Sequence, residues 1–411
     1  MNYEQVLKFM EERDMTMSRY ERNDWDLFVR KMGLSIDVPF IHITGSNGKG
    51  STANFIYEIY KAAGYRVGLF SKPYLKKPNE MIQINGEMIN DADFARVFSK
   101  KEREYENFNL SSFEIQTYIA FDYFNEQKPD IVIVECGMGG DTDSTNLTDG
   151  RPILSIITTV SLEHTAFLGR TTSEIARNKA GIIKPHCPVL IGYMDETIQD
   201  VIREIAERKE STFYKVDDFH NVKLTDKYEF DYHPYSRLKL SNRATYQVRN
   251  AALAIEATRI LSDRFPITEE AMRKGIYADS LPCRLERHGN VVIDGAHNPE
   301  AVNEMMNSIV NISEGKNIHA VFASFRDKNI AVELPRIARD VTDITLTTFD
   351  SKRARDEMDY FLYAGDHEYN DDYKSVIKGI LADHPNDIVL VTGSLAFAAV
   401  VRSFIIEELG L

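Results

Sequence analysis

The chain predicts an α/β fold: a large P-loop-type domain with a mostly parallel sheet flanked by helices, followed by a smaller C-terminal Rossmann-like α/β domain. Three observations predict it. Short apolar runs bounded by turns alternate with helical patterns, the order of a doubly wound sheet. A glycine-rich turn joins the first such run to a helix. A second alternation of strand and helix begins after the break at Ser280-Leu281-Pro282-Cys283-Arg284, which places the domains at 1–283 and 284–411.

Residues 1–37 read as helices, because Val6, Phe9 and Met10, then Trp25, Leu27, Phe28 and Met32, recur at helical spacing. Residues 40–44 are an apolar strand, and Ala53, Phe55, Ile56, Ile59 and Tyr60 mark the helix after it. The run 66–70 reads as a strand. In 71–80, two prolines and three lysines exclude regular structure, and 81–87 reads as strand and turn. Residues 91–127 are helical. The run 130–135, apolar and ending in an acid, has the signature of a parallel strand buried on both faces. Residues 153–158 and 189–191 repeat it. Alternating polar and aromatic residues over 212–247 suggest a small antiparallel appendage, and 250–261 an alanine-rich helix. In the second domain, strands are expected at 291–294, 319–323, 343–347 and 387–391.

Composition narrows the function. With 411 residues the chain can bury a large core, and 43% apolar with 27% charged residues is ordinary for a globular protein. The formal charge of −14 argues against broad nucleic-acid binding, which needs a basic surface. Cys136, Cys187 and Cys283 have neither disulfide nor zinc spacing. No apolar run has the length of a membrane span, so cytoplasm is the expected compartment and no membrane partner is expected.

Six stretches can carry chemistry. Gly45-Ser46-Asn47-Gly48-Lys49-Gly50-Ser51-Thr52 joins strand to helix, the arrangement of a phosphate cradle. Its backbone N–H groups turn inward and the helix N-terminus adds partial positive charge. Lys49 can reach terminal phosphates, and Ser51 or Thr52 offers a hydroxyl to phosphate or Mg²⁺. Gly50 intervenes where the common pattern has the hydroxyl residue. Glu135 ends a buried strand beside Cys136-Gly137-Met138-Gly139-Gly140, placed either to hold Mg²⁺ or simply to meet solvent. His164, in Ser161-Leu162-Glu163-His164, ends another strand, where open sheets collect ligands. Lys179 ends a polar helix, and by residue type alone it reads as a surface lysine, the usual fate of lysines. Asp294-Gly295-Ala296-His297-Asn298-Pro299 is a polar strand-to-helix turn, functional or merely structural. Thr392-Gly393-Ser394 is a weaker case of the same kind.

Together these stretches resemble the folylpolyglutamate synthase/dihydrofolate synthase family of the Mur ligase superfamily. The most specific pieces are the glycine loop, Gly139-Gly140-Asp141-Thr142-Asp143-Ser144-Thr145-Asn146, Leu168-Gly169 with Lys179-Ala180-Gly181-Ile182, and Asp294-Gly295-Ala296-His297-Asn298-Pro299, in that order from about Tyr20 to Ser394. The resemblance implies an ATP-dependent acid–amino-acid ligase that adds L-glutamate to folates through an acyl phosphate. A bifunctional enzyme that also uses dihydropteroate is the alternative, as is a nucleotide-binding homologue with impaired ligase activity.

It further implies ATP contacts from Asn47, Gly48, Lys49, Gly50, Ser51, Thr52, Asn250, Arg284 and Asp294. Two Mg²⁺ are implied, one at Glu135, His164, Ser51 and Ser71, the other at a carbamylated Lys179. Folate is expected at Ser112, Phe113, Glu114, Thr142, Asp143 and Ser144, and glutamate at His297 and Ser394. Lys49, Lys179 and His297 are the expected catalytic groups, in a monomer. Two departures stand out. Lys72 occupies the place of a metal-binding serine in Ser71-Lys72-Pro73, and a cation cannot ligate a metal, so either Ser71 substitutes, or Lys72 contacts phosphate or the glutamate carboxylate, or the first metal site is weakened. Met81 stands for an arginine in Asn79-Glu80-Met81-Ile82.

Overall fold

The computed structural model of the chain describes residues 1–16, 22–224, 227–278, 281–363 and 367–411. Tyr20 and Ser280, named above as the start of the resemblance and of the pattern break, lie outside them. The chain divides into two compact units. One is Met1–His220 with Asp231–Leu238 and Arg249–Asp279. The other is Asn221–Phe230 with Lys239–Val248 and Ser280–Leu411.

The first unit is built on eight strands: β1 (Phe40–Thr44), β2 (Val67–Phe70), β3 (Ile82–Ile84), β4 (Glu87–Met88), β5 (Ile131–Glu135), β6 (Leu154–Ile157), β7 (Val189–Ile191) and β8 (Phe213–Lys215). Their order is β4-β3-β2-β5-β1-β6-β7-β8. Every pairing from β2 to β8 is parallel, and β3 and β4 extend the sheet antiparallel. The winding reverses at β1, with β5 on one side and β6 on the other. Open parallel sheets bind ligands outside the carboxyl ends of the strands at such a point. All residues of β1, β2, β5, β6 and β7 are buried, as their unbroken apolar runs require.

The N-terminal helices Tyr3–Thr16 and Arg22–Met32 pack into this unit. Trp25 stacks on Phe28, with ring centroids 5.6 Å apart, and its indole N–H donates to the Ser144 carbonyl at 3.1 Å. That bond ties the N-terminal helices to the loop after β5.

A separate three-stranded sheet follows in the order β11-β10-β9, made of β9 (His220–Leu224), β10 (Tyr228–Tyr232) and β11 (Tyr235–Lys239). In the second unit, β12 (Glu286–His288), β13 (Val291–Ile293), β14 (Ile318–Phe322), β15 (Asp343–Leu346), β16 (Glu368–Tyr369) and β17 (Ile388–Thr392) form a sheet of order β12-β13-β17-β14-β15-β16. Only β12 is antiparallel to its neighbour. The three cysteines are buried and free.

Some expectations need correction. Residues 78–81 form a 3₁₀ helix inside the segment expected to be irregular, because Pro78 takes its first position, where no N–H is needed. The expected appendage 212–247 begins too early: Phe213–Lys215 pairs in parallel with β7 as the edge of the main sheet. The region 91–127 is three helices, Asp91–Ser99, Glu102–Asn107 and Ser112–Gln127. The helix expected at 250–261 starts four residues earlier, at Tyr246.

Candidate active site

The glycine loop leaves β1 at the reversal of the winding. Its backbone is stapled to the end of β6. Ser46 N–H donates to the Thr159 carbonyl at 2.9 Å, Asn47 N–H to Thr159 Oγ1 at 2.9 Å, and Thr158 Oγ1 to the Asn47 carbonyl at 2.6 Å. Gly48 opens the helix Lys49–Ala62 in left-handed backbone, φ 81°. A Cβ there would lie 2.4 Å from Asn250 Oδ1, so only glycine lets Asn250 approach the loop. Lys49 Nζ donates to the carbonyls of Gly45 at 2.7 Å and Ser46 at 3.2 Å. Thr52 Oγ1 is buried without a partner among the described residues.

Around this loop stand the ends of three other strands. Glu135 closes β5 and is 4% exposed. It accepts from Ser71 Oγ and, at 3.2 Å, from the Lys72 N–H. Burial pushes its carboxyl above the ordinary value, while Lys49, Ser71 and Lys72 pull it back. The Lys72 side chain turns to aromatic surface: Nζ lies 4.5 Å from the centre of the Phe113 ring. Burial lowers its pKa against the pull of Asp143 and Glu135. The hydroxyl next in sequence, Ser71, therefore takes the place beside Glu135.

Lys179 ends the helix Thr172–Lys179, which a Thr171/Glu174 capping box starts. Its side chain is fully buried and its ammonium meets Glu163 Oε1 at 2.7 Å. Burial lowers its pKa to about 8; Glu163 opposes this and Lys49 adds to it. Burial also resists ionisation of Glu163, but Lys49 and Lys179 outweigh it and hold the carboxyl below its usual range. A Cβ on Gly140 would sit 2.6 Å from the Lys179 carbonyl, so the glycine loop after β5 lies directly on the end of this helix. Asn178 fastens the two, accepting from Gly140 N–H at 3.0 Å on its side chain and from Asp141 N–H at 2.8 Å on its carbonyl. His164 is exposed, in left-handed backbone (φ 44°) at the start of the short helix Thr165–Leu168.

The expected folate residues divide by environment. Phe113 is half-buried and stacks near Phe70, ring centres 6.0 Å apart, and Thr142 is exposed. The others are held by protein. Ser112 Oγ donates to the Met10 carbonyl at 2.7 Å, and Glu114 closes a capping box with Ser111. Asp143 accepts from Met138 N–H at 2.8 Å, Thr145 N–H at 3.0 Å and Thr145 Oγ1 at 2.6 Å. Ser144 and Thr117 share a hydroxyl–hydroxyl bond of 2.9 Å. Of the second departure, Met81 lies in the core, and Glu80 accepts from the N–H groups of Leu75 at 2.7 Å, Lys76 at 3.0 Å and Lys77 at 3.2 Å.

In the second unit, Asp294 follows β13 and is 3% exposed. It accepts from Tyr246 Oη at 2.8 Å, Leu285 N–H at 2.9 Å and Ala296 N–H at 2.9 Å. Burial raises its pKa; Arg284 and the three donors counter that. His297 Nδ1 lies 2.9 Å from the Gly295 carbonyl. Ser394 caps the helix Leu395–Glu407, accepting from Phe397 N–H at 3.1 Å.

Glu163, Thr158, Thr159, Asn178 and Tyr246 were not singled out from the sequence as site residues. Glu163 had a signal: it is an acid next to His164 after a buried strand.

Fold and loop together define a P-loop-type ATP-dependent ligase of Mur architecture. Residues 43–258 match the Mur ligase middle domain, and residues 283–395 match the Mur ligase, glutamate ligase domain. The chain is 32% identical over 385 residues to the folylpolyglutamate synthase of Lacticaseibacillus casei, covering 88% of this chain and 89% of that one. It is 34% identical over 384 residues to the dihydrofolate synthase/folylpolyglutamate synthase of Bacillus subtilis, with the same coverage. A solved structure described as an FPGS-AMPPCP-folate complex superposes with TM-score 0.84 at 28% identity, covering 98% of this chain and all of that one. The chain belongs to the folylpolyglutamate synthase/dihydrofolate synthase family of Mur ligases. Among the described residues no helix is long and apolar enough to cross a membrane.

Proposed function

We propose that this protein joins L-glutamate to the terminal carboxylate of a folate, using ATP. The observation that carries the reading is the meeting of the Gly45–Thr52 loop with the Ser71–Glu135 and Lys179–Glu163 pairs, in a chain whose relatives bear the names just given. A folate carboxylate oxygen attacks the γ-phosphorus and ADP leaves. The glutamate amine then attacks the acyl carbon of the acyl phosphate, and phosphate departs from the tetrahedral intermediate.

Lys49 exchanges its loop carbonyls for phosphate oxygens, and the loop N–H groups hold the same charge. Asn250, Arg284 and Asp294 are assigned to the nucleotide. His297 and Ser394 are assigned to the incoming glutamate. Phe113 and Thr142 face the folate, while Ser112, Glu114, Asp143 and Ser144 shape its loops through the bonds described above.

The donor set suits a hard cation: Glu135 places both its hydrogen bonds on Oε2, beside the Ser71 hydroxyl. Glu135, Ser71, Ser51 and His164 would hold one Mg²⁺, and a carbamylated Lys179 a second. When bound, Mg²⁺ supplies charge neutralisation for the phosphates and the acyl phosphate. Lys179 is poised for carbamylation. With its pKa near 8, a neutral fraction exists around neutral pH whose nitrogen can bond to CO₂ and release a proton. A monomer in the cytoplasm is the setting this reading takes.

The B. subtilis relative carries both names, which favours a second carboxylate substrate, dihydropteroate. Phosphate release from ATP by purified protein is the test. It should require glutamate together with a folate, and replacing the folate by dihydropteroate tests the second substrate. Release without glutamate, or none with any folate or pteroate, would overturn the proposal.

A further inference from the structure

The second sheet carries a group of side chains that the ligase reaction does not use. His319 is the second residue of β14, Asp343 the first of β15, and Asp387 immediately precedes β17. His384 caps the helix Tyr373–Asp383. His319, Asp343 and Asp387 stand at the amino ends of strands with His384 stacked beside them, whereas Asp294 and Ser394 follow the carboxyl ends. The five residues of β14 put about 15 Å between the two ends.

His319 is 4% exposed. Its Nδ1 lies 2.8 Å from Asp343 Oδ2, and its Nε2 lies 3.3 Å from Asp387 Oδ2. His384 Nδ1 is 3.7 Å from that same Asp387 oxygen. The two imidazoles stack with centres 4.5 Å apart. One nitrogen from each ring and a carboxylate oxygen of Asp387 lie within 4.8 Å of one another.

A neutral imidazole has one N–H. In the tautomer with Nδ1 donating to Asp343, Nε2 turns a lone pair toward Asp387 Oδ2, which also accepts from Asn317 Nδ2 at 3.1 Å, and a cation between the nitrogen and the oxygen would relieve the contact of two acceptors. A proton would serve, but it would make His319 an imidazolium stacked on a second imidazole. A metal accounts for more of the arrangement. In a tetrahedral centre with bonds of about 2.0–2.1 Å, ligand atoms stand about 3.3 Å apart, close to the separations around Asp387 Oδ2. A metal-bound histidine also commonly gives its other N–H to a carboxylate, as His319 does to Asp343.

We propose that His319 Nε2, His384 Nδ1 and Asp387 Oδ2 bind a divalent cation of the Zn²⁺ class, with Asp343 orienting His319 and solvent completing the shell on the exposed side of His384. Two imidazoles and one carboxylate suit Zn²⁺ or Co²⁺ better than Mg²⁺, which sets this site apart from the oxygen-rich one in the first unit. It clips β14 and β17 to the end of the helix Tyr373–Asp383, a structural role away from the chemistry.

The test uses the full chain, stripped of metal with a chelator and titrated with Co²⁺ in the absence of nucleotide. One equivalent should bind below millimolar concentration with the visible absorption of a tetrahedral site. Glu135→Gln should keep that absorption, while His384→Ala and Asp387→Asn should lose it. Asp343→Asn should weaken binding about 10- to 100-fold. Zn²⁺ should raise the unfolding temperature of the native chain and leave His384→Ala unchanged, and the two should unfold alike in chelator. Absence of a sub-millimolar Co²⁺ equivalent would overturn the proposal. Unchanged binding in both His384→Ala and Asp387→Asn would overturn it too.

Discussion

Glu135 and Asp294 arise from the same local pattern, an apolar parallel strand that ends in an acid, yet the two carboxylates are used differently. Both are buried, and burial pushes both above their ordinary pKa. Asp294 spreads three donors over two oxygens, from Tyr246, Leu285 and Ala296. Glu135 takes both of its bonds on Oε2, which leaves Oε1 without a protein donor among the described residues. A third buried carboxyl marks the limit: both Glu333 oxygens lack partners among the described residues, and burial raises its pKa to about 7. Asp294, with donors on both oxygens, is fixed in its turn by its own protein before any nucleotide is met. Glu135, with one oxygen to spare, is placed to meet a cation directly.

Breaking the first pair should have the largest effect. Glu135→Gln keeps an acceptor for Ser71 but removes the charge, and should cut kcat about 10²- to 10³-fold with little change in melting temperature. Asp294→Asn turns one acceptor into a donor facing donors, and should cost about 1–3 kcal/mol of stability. Steady-state kinetics and denaturant unfolding on the two variants separate the roles, and equal loss of stability in both would erase the distinction.

Glu333 sharpens the comparison through pH. Its folded pKa lies above the unfolded value of 4.5, so the unfolded chain releases the proton first as pH rises. The resulting penalty is absent below about pH 4, grows between pH 4.5 and 7, and stays constant above that. Glu333→Gln should therefore stabilise the protein at pH 8 by up to about 3 kcal/mol and do nothing at pH 4. Unfolding measured at the two pH values checks this, and an equal effect at both would show that the charge is not the cause.

Lys72→Ser should have the smallest effect. Loss of the contact with Phe113 should cost about 0.5–1 kcal/mol and shift KM for the folate. The Mg²⁺ requirement should hold, because Ser71 already stands beside Glu135. A changed Mg²⁺ requirement with an unchanged folate KM would move Lys72 to the metal.

The central strands were legible because strands buried on both faces read as unbroken apolar runs: residues 130–135 announced β5, and 189–191 matched β7. The edges were not. Phe213–Lys215 and Glu286–His288 are short, mixed and part-exposed, so local pattern could not assign them. Glu163 went unassigned because its meaning lies in Lys179, 16 residues further on. Ser112 and Glu114 drew a ligand role from resemblance alone, while their bonds cap a helix and hold Met10.

By itself the sequence determined the local devices: a glycine loop between strand and helix, acids and hydroxyls after buried strands, and a lysine at a helix end. Their chemistry follows from residue type and from backbone that only glycine adopts easily. The tertiary structure alone decided which devices meet. Ser71 reaches Glu135 across 64 residues because β2 lies beside β5 in the sheet. His319 meets Asp343 and Asp387 because β14 sits between β15 and β17. Strand order is set by the winding of the whole chain and the burial it achieves, and no local pattern encodes it.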